Sequence, residues 1–327
     1  MSLAAVLKGK GSNGFGYATT AEEATAGCDL RGKTMLVTGC NSGLGRETAR
    51  VLALRGARVV ATARTVEKAR EACSGLAGDF LPVACELAEP ASVRACVAAV
   101  KAGAAPLDAI LCNAGVMAIP TPQQKFGWEL HLFTNHIGHF MLVTGLLEEL
   151  TPRGRVVVLS SAAHRQAPKG GIQFDNLDGS KGYGAWTAYG QSKFANLLFA
   201  KELARRLAGT ARTANAVHPG VIRTKLQRHM NPVMSLVFGA FGPIALKTVA
   251  EGAATQVYVA TRPELAGVSG QYFADCNVAQ PRADADDPEL ARRLWEISEE
   301  IVAKLGRRTS VATAASTHAA ETSALPE

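Results

Sequence analysis

Residues 34–54 have the sequence TMLVTGCNSGLGRETARVLAL, in which a short apolar run passes through a glycine-rich turn into a helical pattern. Gly39 permits a tight turn, Gly43 lets the backbone approach a ligand, and Gly45 allows close packing of the helix. The helix over 47–54 would present its N-terminal amides and its positive dipole end to a phosphate. The stretch therefore predicts either a dinucleotide-binding unit or a plain strand-turn-helix without a ligand.

Further short apolar runs alternate with helix-length segments along the chain. They occupy residues 58–62, 80–84, 107–112, 155–160, 213–217 and 271–273. Strands separated by helices indicate βαβ units, and hence a parallel sheet with helices on both faces. We therefore expect an α/β fold, a single doubly wound Rossmann domain over residues 31–306, with an N-terminal arm (1–30) and a disordered tail (307–327). A last helix is expected from Pro288 to about Leu305 because apolar residues recur there with a helical period.

The composition is that of a globular protein and excludes several classes. With 47% hydrophobic and 19% charged residues, the 327-residue chain is neither disordered nor collagen-like. Its net charge of +7 suits a polyanionic ligand, an anionic membrane surface or nucleic acid equally well. The basic residues are dispersed, however, so we expect no nucleic-acid partner. Seven cysteines without a C-x-x-C pair and a short N-terminal apolar stretch predict free thiols and a cytoplasmic protein.

Two other patterns suggest sites that their context argues against. Residues 27–34, GCDLRGKT, match the Walker A pattern, but polar residues precede them and a strand follows, so chance resemblance is the better interpretation. His131, His136 and His139 lack the spacing and third ligand of a zinc site, so packing or surface placement is expected and no metal is predicted.

The end of the second apolar run predicts which dinucleotide binds. An NAD site has a carboxylate about 20 residues after the last glycine, to bond the ribose 2′-hydroxyl. Here Arg64 stands 19 positions beyond Gly45. A guanidinium can hold a 2′-phosphate through charge-assisted bonds, whereas a carboxylate would repel it. We therefore expect NADP(H), with Arg46 as a helper; the alternative for Arg64 is a solvated residue at a strand end.

Several ordered motifs together resemble the short-chain dehydrogenase/reductase superfamily. They are the glycine turn, Asn113-Ala-Gly115, Asn135, Ser161 and Tyr189-Gly-Gln-Ser-Lys193. Finer similarity to retinol dehydrogenases, the WW-domain-containing oxidoreductase and plastid envelope relatives comes from the segments 14–23, 135–140, 192–199, 218–221 and 270–276. The resemblance implies a mostly parallel, seven-stranded sheet.

Tyr189 and Lys193 also make chemical sense without the resemblance. They are four residues apart on the helix predicted from Ala188 to Leu207, so their side chains share one face. An ammonium beside a phenol favours phenolate, which would lower the pKa of Tyr189 toward working pH and suit it for general acid/base catalysis. The resemblance implies that Ser161, the second serine of its pair, bonds the substrate oxygen. It also implies that Lys193 binds the nicotinamide ribose and that Asn135 holds a water for proton relay.

Besides Tyr189 and Lys193, the resemblance assigns further residues to the cofactor. They are Gly39, Asn41, Ser42, Gly43, Leu44, Gly45 and Arg46 at the turn, Glu86 and Leu87, Asn113, Ala114 and Gly115, and Pro219, Gly220, Val221, Ile222 and Thr224. The chain departs from the family pattern at Glu86, where Asp is usual beside the adenine, and at Cys112, where Asn is commoner.

The expected activity is NADP(H)-linked interconversion of a carbonyl and an alcohol on a small-molecule substrate. Residues 230–246 are rich in apolar side chains and fall where the family keeps its substrate loop. They predict either a lid over a hydrophobic substrate, such as a retinoid, lipid or aromatic carbonyl, or a dimer or membrane-surface contact. The family also implies homo-oligomers. The alternative from another class is a non-catalytic regulator that binds NADPH, although such a protein has no need of Tyr189 and Lys193.

Overall fold

The apolar runs form the strands of one large sheet in the structure, a computed structural model that describes residues 9–104, 106–222 and 246–322. The strands are β1 (Thr34–Val37), β2 (Arg58–Ala63), β3 (Asp79–Ala84), β4 (Leu107–Cys112), β5 (Gln124–Lys125), β6 (Trp128–Glu129), β7 (Leu150–Leu159), β8 (Thr213–His218), β9 (Tyr272–Ala274) and β10 (Asn277–Val278). Their order in the sheet is β10-β9-β8-β7-β4-β1-β2-β3, and β5 and β6 form a separate hairpin.

The strand count corrects the expectation of seven. The seven predicted strands are all parallel to their neighbours, and β10 adds an eighth, antiparallel to β9 in the described part of the chain. β10 is only two residues long, so it carries no alternating or apolar pattern that a sequence could reveal. The mostly parallel Rossmann-type architecture is confirmed.

Helices connect the strands. They are α1 (Ala21–Ala24), α2 (Gly43–Leu54), α3 (Val66–Cys73), α4 (Pro90–Gly103), α5 (Gly138–Leu146), α6 (Ala185–Arg206), α7 (Val249–Thr261) and α8 (Pro288–Thr322). A π-helical segment, Leu132–Ile137, runs directly into α5, and a 3₁₀ turn, Ala162–Gln166, follows β7. The sequence predicts that the last helix ends at about Leu305 before a disordered tail, whereas α8 continues to Thr322. The added stretch is rich in alanine, the strongest helix former.

Two apolar layers cover the sheet, one on each face. Residues of α4, α5, α6 and α8 share one core with Leu36 of β1, whereas residues of α1, α2 and α7 share the other with Met35 and Val37. The alternation along β1 is the two-residue period of a strand buried on both faces. The chain is therefore doubly wound, as the sequence predicts, and the carboxyl ends of its parallel strands meet at one edge.

The N-terminal arm is packed onto this frame from residue 9. Lys10 and Gly16 form a bridge, and Thr20 and Glu23 make a reciprocal capping box at the start of α1. Ala21 and Ala24 of α1 are fully buried in the core shared with α7. All seven cysteines are free thiols, and no helix in the described ranges is long and apolar enough to traverse a bilayer.

Candidate active site

The strand order reverses between β1 and β4, and the glycine turn lies at this point. A crevice at the carboxyl ends of strands, beside such a reversal, is where doubly wound folds bind ligands. Gly39 has a φ of +74°, and a methyl group there would lie 2.9 Å from the Cβ of Ala114. A methyl group on Gly45 would lie 2.6 Å from Nδ2 of Asn113. Both positions therefore require glycine for close packing between the turn and the end of β4.

The residues at this turn fit a pyrophosphate. α2 begins at Gly43, and Ser42 at its N-cap makes no side-chain cap hydrogen bond. The first-turn amides of α2 are thus left for a ligand, and the helix dipole favours an anion there. Asn41 and Ser42 are exposed beside these amides, and Leu44 is half-buried against α7.

Asn113 stabilises the turn through its side chain. Its Nδ2 donates to the carbonyl of Thr38 over 2.8 Å, and its Oδ1 accepts from Nε2 of Gln256 over 3.3 Å. Because both ends of the amide bond to protein, Asn113 links β4, the glycine turn and α7. Ala114 and Gly115 continue from it along the wall of the crevice.

Arg64 follows β2, and its nearest charged partner is a carboxylate at the end of β3. Nε of Arg64 lies 3.9 Å from Oε2 of Glu86, and the Arg64 side chain is 57% exposed. Glu86 also accepts the amide of Ala88 over 3.3 Å. Arg46 bonds through Nε to the carbonyl of Ala72 over 3.0 Å. In the structure the Glu86 carboxylate therefore lies beside Arg64, whereas the family pattern predicts that the residue at position 86 contacts adenine.

Tyr189, Lys193 and Ser161 come together where α6 packs against the end of β7. Tyr189 and Lys193 are 6% and 4% exposed, and Nζ of Lys193 lies 5.9 Å from the centre of the Tyr189 ring. The ammonium donates to the carbonyl of Leu159 over 3.0 Å. Ser161 caps the 3₁₀ turn, accepts the amide of Ala163 over 3.2 Å, and hydrogen-bonds Tyr189. A phenol, a hydroxyl and an ammonium therefore share one buried corner.

The pKa values in this corner differ from the sequence expectation. Burial raises the pKa of Tyr189 to about 12, and the hydrogen bond from Ser161 offsets only part of that rise. Burial lowers the pKa of Lys193 to about 8. The sequence predicts that Lys193 lowers the pKa of Tyr189, but the Lys193 ammonium donates to the carbonyl of Leu159 and not to the phenol. Tyr189 is therefore a protonated acid at neutral pH.

The structure distinguishes the two serines after β7. Oγ of Ser160 is buried and donates to the carbonyl of Lys193 over 2.7 Å, so its hydroxyl joins β7 to α6. Ser161 is only partly buried and bonds Tyr189. His164 fixes the backbone at Ser161: its Nδ1 donates to the Ser161 carbonyl over 2.6 Å. Its Nε2 accepts a hydrogen bond from the amide of Arg282. The sequence left His164 without a role.

Asn135 lies in the π-helical segment with its side chain fully engaged. Oδ1 accepts the amide of Val116 over 2.8 Å, and Nδ2 donates to the carbonyl of Val116 and to Oγ of Ser192, each over 2.9 Å. A methyl group on Gly115 would lie 2.8 Å from Oδ1 of Asn135 and 3.5 Å from Nζ of Lys193. Asn135 thus brings the segment after β4 close to Lys193.

His139 connects Asn135 to the glycine turn, a link that the sequence did not predict. Its Nδ1 lies 2.8 Å from the carbonyl of Asn135, and its Nε2 lies 2.9 Å from Oγ1 of Thr38. Because a carbonyl only accepts, Nδ1 carries the proton and the Thr38 hydroxyl donates to Nε2. Thr38 Oγ1 also accepts the amides of Asn113 and Ala114, each over 2.9 Å. Burial lowers the pKa of His139 to about 4, so the ring is neutral.

His131 and His136, the other two histidines weighed as metal ligands, also have protein partners. Nδ1 of His131 lies 2.6 Å from Glu129, and Nε2 of His136 lies 2.8 Å from Ser298. Within the ranges that the structure describes, no group of three or more His, Cys, Asp or Glu side chains is arranged to hold a metal ion.

The predicted nicotinamide loop follows β8. Pro219, Gly220, Val221 and Ile222 are described, whereas Thr224 and most of the apolar segment 230–246 lie outside the described residues. A methyl group on Gly252 of α7 would lie 2.6 Å from Cδ1 of Ile222 and 2.8 Å from Cδ2 of Leu44. Gly252 therefore lets the glycine turn and the loop after β8 approach each other.

Comparisons with known proteins agree with this geometry. The short chain dehydrogenase family matches residues 33–234. The chain is 39% identical over 320 residues to "Short-chain dehydrogenase TIC 32 B, chloroplastic" of Brassica napus, covering 93% of this chain and all (100%) of that protein. It is 42% identical over 281 residues to "Retinol dehydrogenase 12" of Bos taurus, covering 84% and 87% of the two chains. A crystal structure of an uncharacterized protein from Mycobacterium paratuberculosis superposes with a TM-score of 0.70 at 32% identity, over 85% of this chain and 96% of that one.

Proposed function

The chain belongs to the short-chain dehydrogenase family, in the branch of the retinol dehydrogenases and the TIC 32 proteins, and from this premise we propose that it is an NADP(H)-dependent oxidoreductase that interconverts a carbonyl and an alcohol on a hydrophobic substrate. The observation that carries the proposal is the buried corner of Tyr189, Ser161 and Lys193 beside a dinucleotide crevice. A protein that only binds the cofactor has no use for that corner.

The residues of the corner divide the acid/base work between them. In the reductive direction Tyr189 donates its hydroxyl proton to the substrate oxygen, and Ser161 holds that oxygen by a hydrogen bond. When bound, the nicotinamide supplies the hydride, and it accepts the hydride in the reverse reaction. Lys193 lies behind Tyr189 and returns a proton to it from solvent, through a water that Asn135 holds. With its pKa raised to about 12, Tyr189 holds its proton at neutral pH and can donate it in the reductive direction.

The preference for NADP(H) rests on Arg64. Its side chain is more than half exposed at the end of β2 and can turn from Glu86 to a 2′-phosphate. The exposed ion pair with Glu86 contributes little stability, so exchanging it for a charge-assisted bond to phosphate is favourable. Arg46, at the start of α2, is the second basic residue near this position.

The hydrophobic substrate is inferred from two sources. Residues 230–246 place many apolar side chains directly after the proposed nicotinamide loop. Relatives that are about two-fifths identical to this chain carry the name retinol dehydrogenase. We therefore place retinoids, lipids and aromatic carbonyls ahead of short polar aldehydes.

The deciding experiment follows NADPH and NADH oxidation with aldehydes and ketones that range from short aliphatics to retinal. Wild type is expected to turn over NADPH, at rates that rise with substrate apolarity. Tyr189→Phe should lower kcat by about 100-fold or more, because general acid catalysis contributes that much. NADPH affinity, measured by fluorescence titration, should stay unchanged in this variant. Tight binding of NADPH without turnover of any substrate would instead favour a non-catalytic regulator.

Arg64→Ala tests the cofactor preference. We expect KM for NADPH to rise by roughly 10- to 100-fold, as for the loss of a charged hydrogen bond, while KM for NADH stays the same. Arg58→Ala is the matched control, because Arg58 begins the strand that Arg64 follows, is 43% exposed and pairs with Asp79. An unchanged ratio of the two KM values in Arg64→Ala would rule out this role for Arg64.

A further inference from the structure

A completely buried lysine lies behind the loop that follows β8. The side chain of Lys247 has 0% exposure, and its Nζ lies 2.6 Å from Oδ1 of Asp275. The same ammonium lies 4.8 Å from the centre of the Tyr17 ring, in a cation–π contact. Burying an ammonium is costly unless it is well paired, so a lysine at this position needs a physical reason. We refer to Tyr17, Lys247 and Asp275 as the lysine cluster.

The stem of Lys247 supports the backbone at Gly220. Gly220 has a φ of +91°, and a methyl group there would lie 2.6 Å from Cδ and 3.0 Å from Cε of Lys247. The amide of Lys247 donates to the carbonyl of Val221 over 2.9 Å, and Ile222 and Lys247 form a parallel bridge. The backbone from Gly220 to Ile222 therefore lies directly on this one residue.

The carboxylate of the cluster is held by an unusual turn. Asp275 and Cys276 between β9 and β10 have φ values of +53° and +60°, which residues other than glycine rarely adopt. Such strain persists only where the surroundings fix it. The amide of Cys276 donates to Thr255 of α7 over 3.2 Å, and Nδ2 of Asn13 donates to the Cys276 carbonyl over 2.8 Å.

The N-terminal arm closes the cluster from the other side. Nδ2 of Asn277 donates to the carbonyl of Phe15 over 3.2 Å, and Phe15 packs edge-on against Tyr258 of α7 with ring centres 5.4 Å apart. These contacts bring Tyr17, which is 6% exposed, over the ammonium. Three segments far apart in sequence thus converge on Lys247.

We propose that Lys247 is a positioning residue for the nicotinamide half of the dinucleotide site, and that Asp275 and the N-terminal arm, through Tyr17, hold it in place. The inference rests on the proposed function, since it assumes that the loop after β8 binds the nicotinamide. The stem of Lys247 fixes the Gly220–Ile222 backbone, and the ion pair and the aromatic ring fix the stem. The adenosine half, at the ends of β2 and β3, does not depend on the cluster.

Isothermal titration calorimetry with two probes tests the proposal. NADPH occupies the whole site, whereas 2′-phospho-ADP-ribose lacks the nicotinamide and reports on the other half alone. Lys247→Ala removes the stem, and we expect it to weaken NADPH binding by about tenfold, as for one misplaced hydrogen bond. Its affinity for 2′-phospho-ADP-ribose should stay within twofold of wild type. Equal losses for both probes, or no loss for either, would overturn the proposal.

A second variant covers the case in which Lys247→Ala fails to fold. Lys247→Met with Asp275→Asn keeps an unbranched stem and removes both charges, an exchange that buried ion pairs often tolerate. We expect a loss of roughly threefold for NADPH, because a stem without its ion pair still lies under Gly220. An unchanged NADPH-to-fragment affinity ratio in this variant also overturns the proposal.

Lys201→Ala is the matched control. Lys201 forms an ion pair of the same length, 2.6 Å, with Asp286, and its side chain is 12% exposed. It lies on α6 away from the loop after β8, so both affinities should match wild type. If wild type binds neither probe, the proposed cofactor is wrong. If wild type binds both probes and the Lys247 variants bind both equally well, only the role of Lys247 is wrong.

Discussion

Lys193 is a single residue whose chemistry works against the stability of the fold. Burial lowers its pKa from 10.5 to about 8. Below pH 8 both folded and unfolded chains carry the proton, and the folded chain bears the cost of a buried charge. Between pH 8 and 10.5 the folded chain has released the proton that the unfolded chain still holds. The contribution of Lys193 therefore becomes less unfavourable as pH rises through this window.

We therefore expect Lys193→Met to be more stable than wild type, and the difference to be larger at pH 7 than at pH 9.5. The free energy of unfolding of the variant, measured by urea denaturation, should exceed that of wild type at pH 7 by up to about 3 kcal/mol. The difference should shrink by pH 9.5. The carbonyl of Leu159 keeps a partner in the variant, because Nδ2 of Asn196 also donates to it over 3.0 Å.

Tyr189→Phe is the control for this prediction. The pKa of Tyr189 is raised from 10.0 to about 12, so the unfolded chain loses this proton at a lower pH than the folded chain does. The contribution of Tyr189 to stability therefore depends on pH only above about pH 10. The difference between Tyr189→Phe and wild type should therefore be constant from pH 7 to 9.5. A constant difference for Lys193→Met over the same range would contradict the assigned pKa of Lys193.

At the scale of elements, the site depends on the contact between α6 and the 3₁₀ turn that carries Ser161. Gly190 follows Tyr189 on α6, and a methyl group there would lie 2.7 Å from the carbonyl of Ala163 and 2.9 Å from the amide of Ala167. These are backbone atoms, which cannot rotate away. Gly190 thus sets the distance between the two elements that bring Ser161 to Tyr189.

Gly190→Ala should push these two elements apart. We expect kcat to fall by about tenfold or more, since a displacement of the order of an ångström is enough to misalign reacting groups. Stability should fall by roughly 1–3 kcal/mol, the usual cost of overpacking. Steady-state kinetics and urea denaturation measure the two effects.

Gly103→Ala serves as the comparison for Gly190→Ala. Gly103 ends α4, and a methyl group there would meet no atom within 4 Å. This variant should keep wild-type kcat and gain up to about 0.5–1 kcal/mol of stability from helix propensity. If Gly190→Ala also retained wild-type kcat, the spacing of α6 and the 3₁₀ turn would not control the reaction.

The π-helical segment shows what an element can contribute that periodicity does not reveal. π-helical turns are rare and are often found at functional sites. Leu132–Ile137 aims Asn135 at Val116 and its carbonyl at His139, which in turn reaches Thr38. The sequence predicts Asn135 as a site residue only through resemblance, since a π turn has no apolar pattern distinct from that of an α-helix.

At the scale of the whole molecule, the sequence predicts the parts that rest on local patterns. The strand Leu107–Cys112 is predicted to the residue, because a strand buried on both faces is mostly apolar, and this run is interrupted only by Asp108 and ends at polar Asn113. The glycine turn is predicted because glycine is required wherever two backbones approach closely. The family follows from the order of these motifs.

The remaining features depend on contacts between segments that are distant in sequence. Nothing near Lys247 indicates that Asp275 and Tyr17 meet it, since Asp275 lies 28 positions and Tyr17 lies 230 positions away along the chain. The pairing of Arg64 with Glu86 likewise depends on β2 and β3 being neighbours. The pKa of Tyr189 follows from burial, which the spacing of Tyr189 and Lys193 does not determine.

The bridge between Ile222 and Lys247 also bears on how this protein can evolve. The bridge pairs two residues that are separated by 24 intervening positions of sequence. Because the entropic cost of joining two fixed ends grows only slowly with the number of residues between them, we expect insertions and deletions between these anchors to be tolerated. The interval can therefore change in length and sequence while the dinucleotide scaffold on either side of it stays the same.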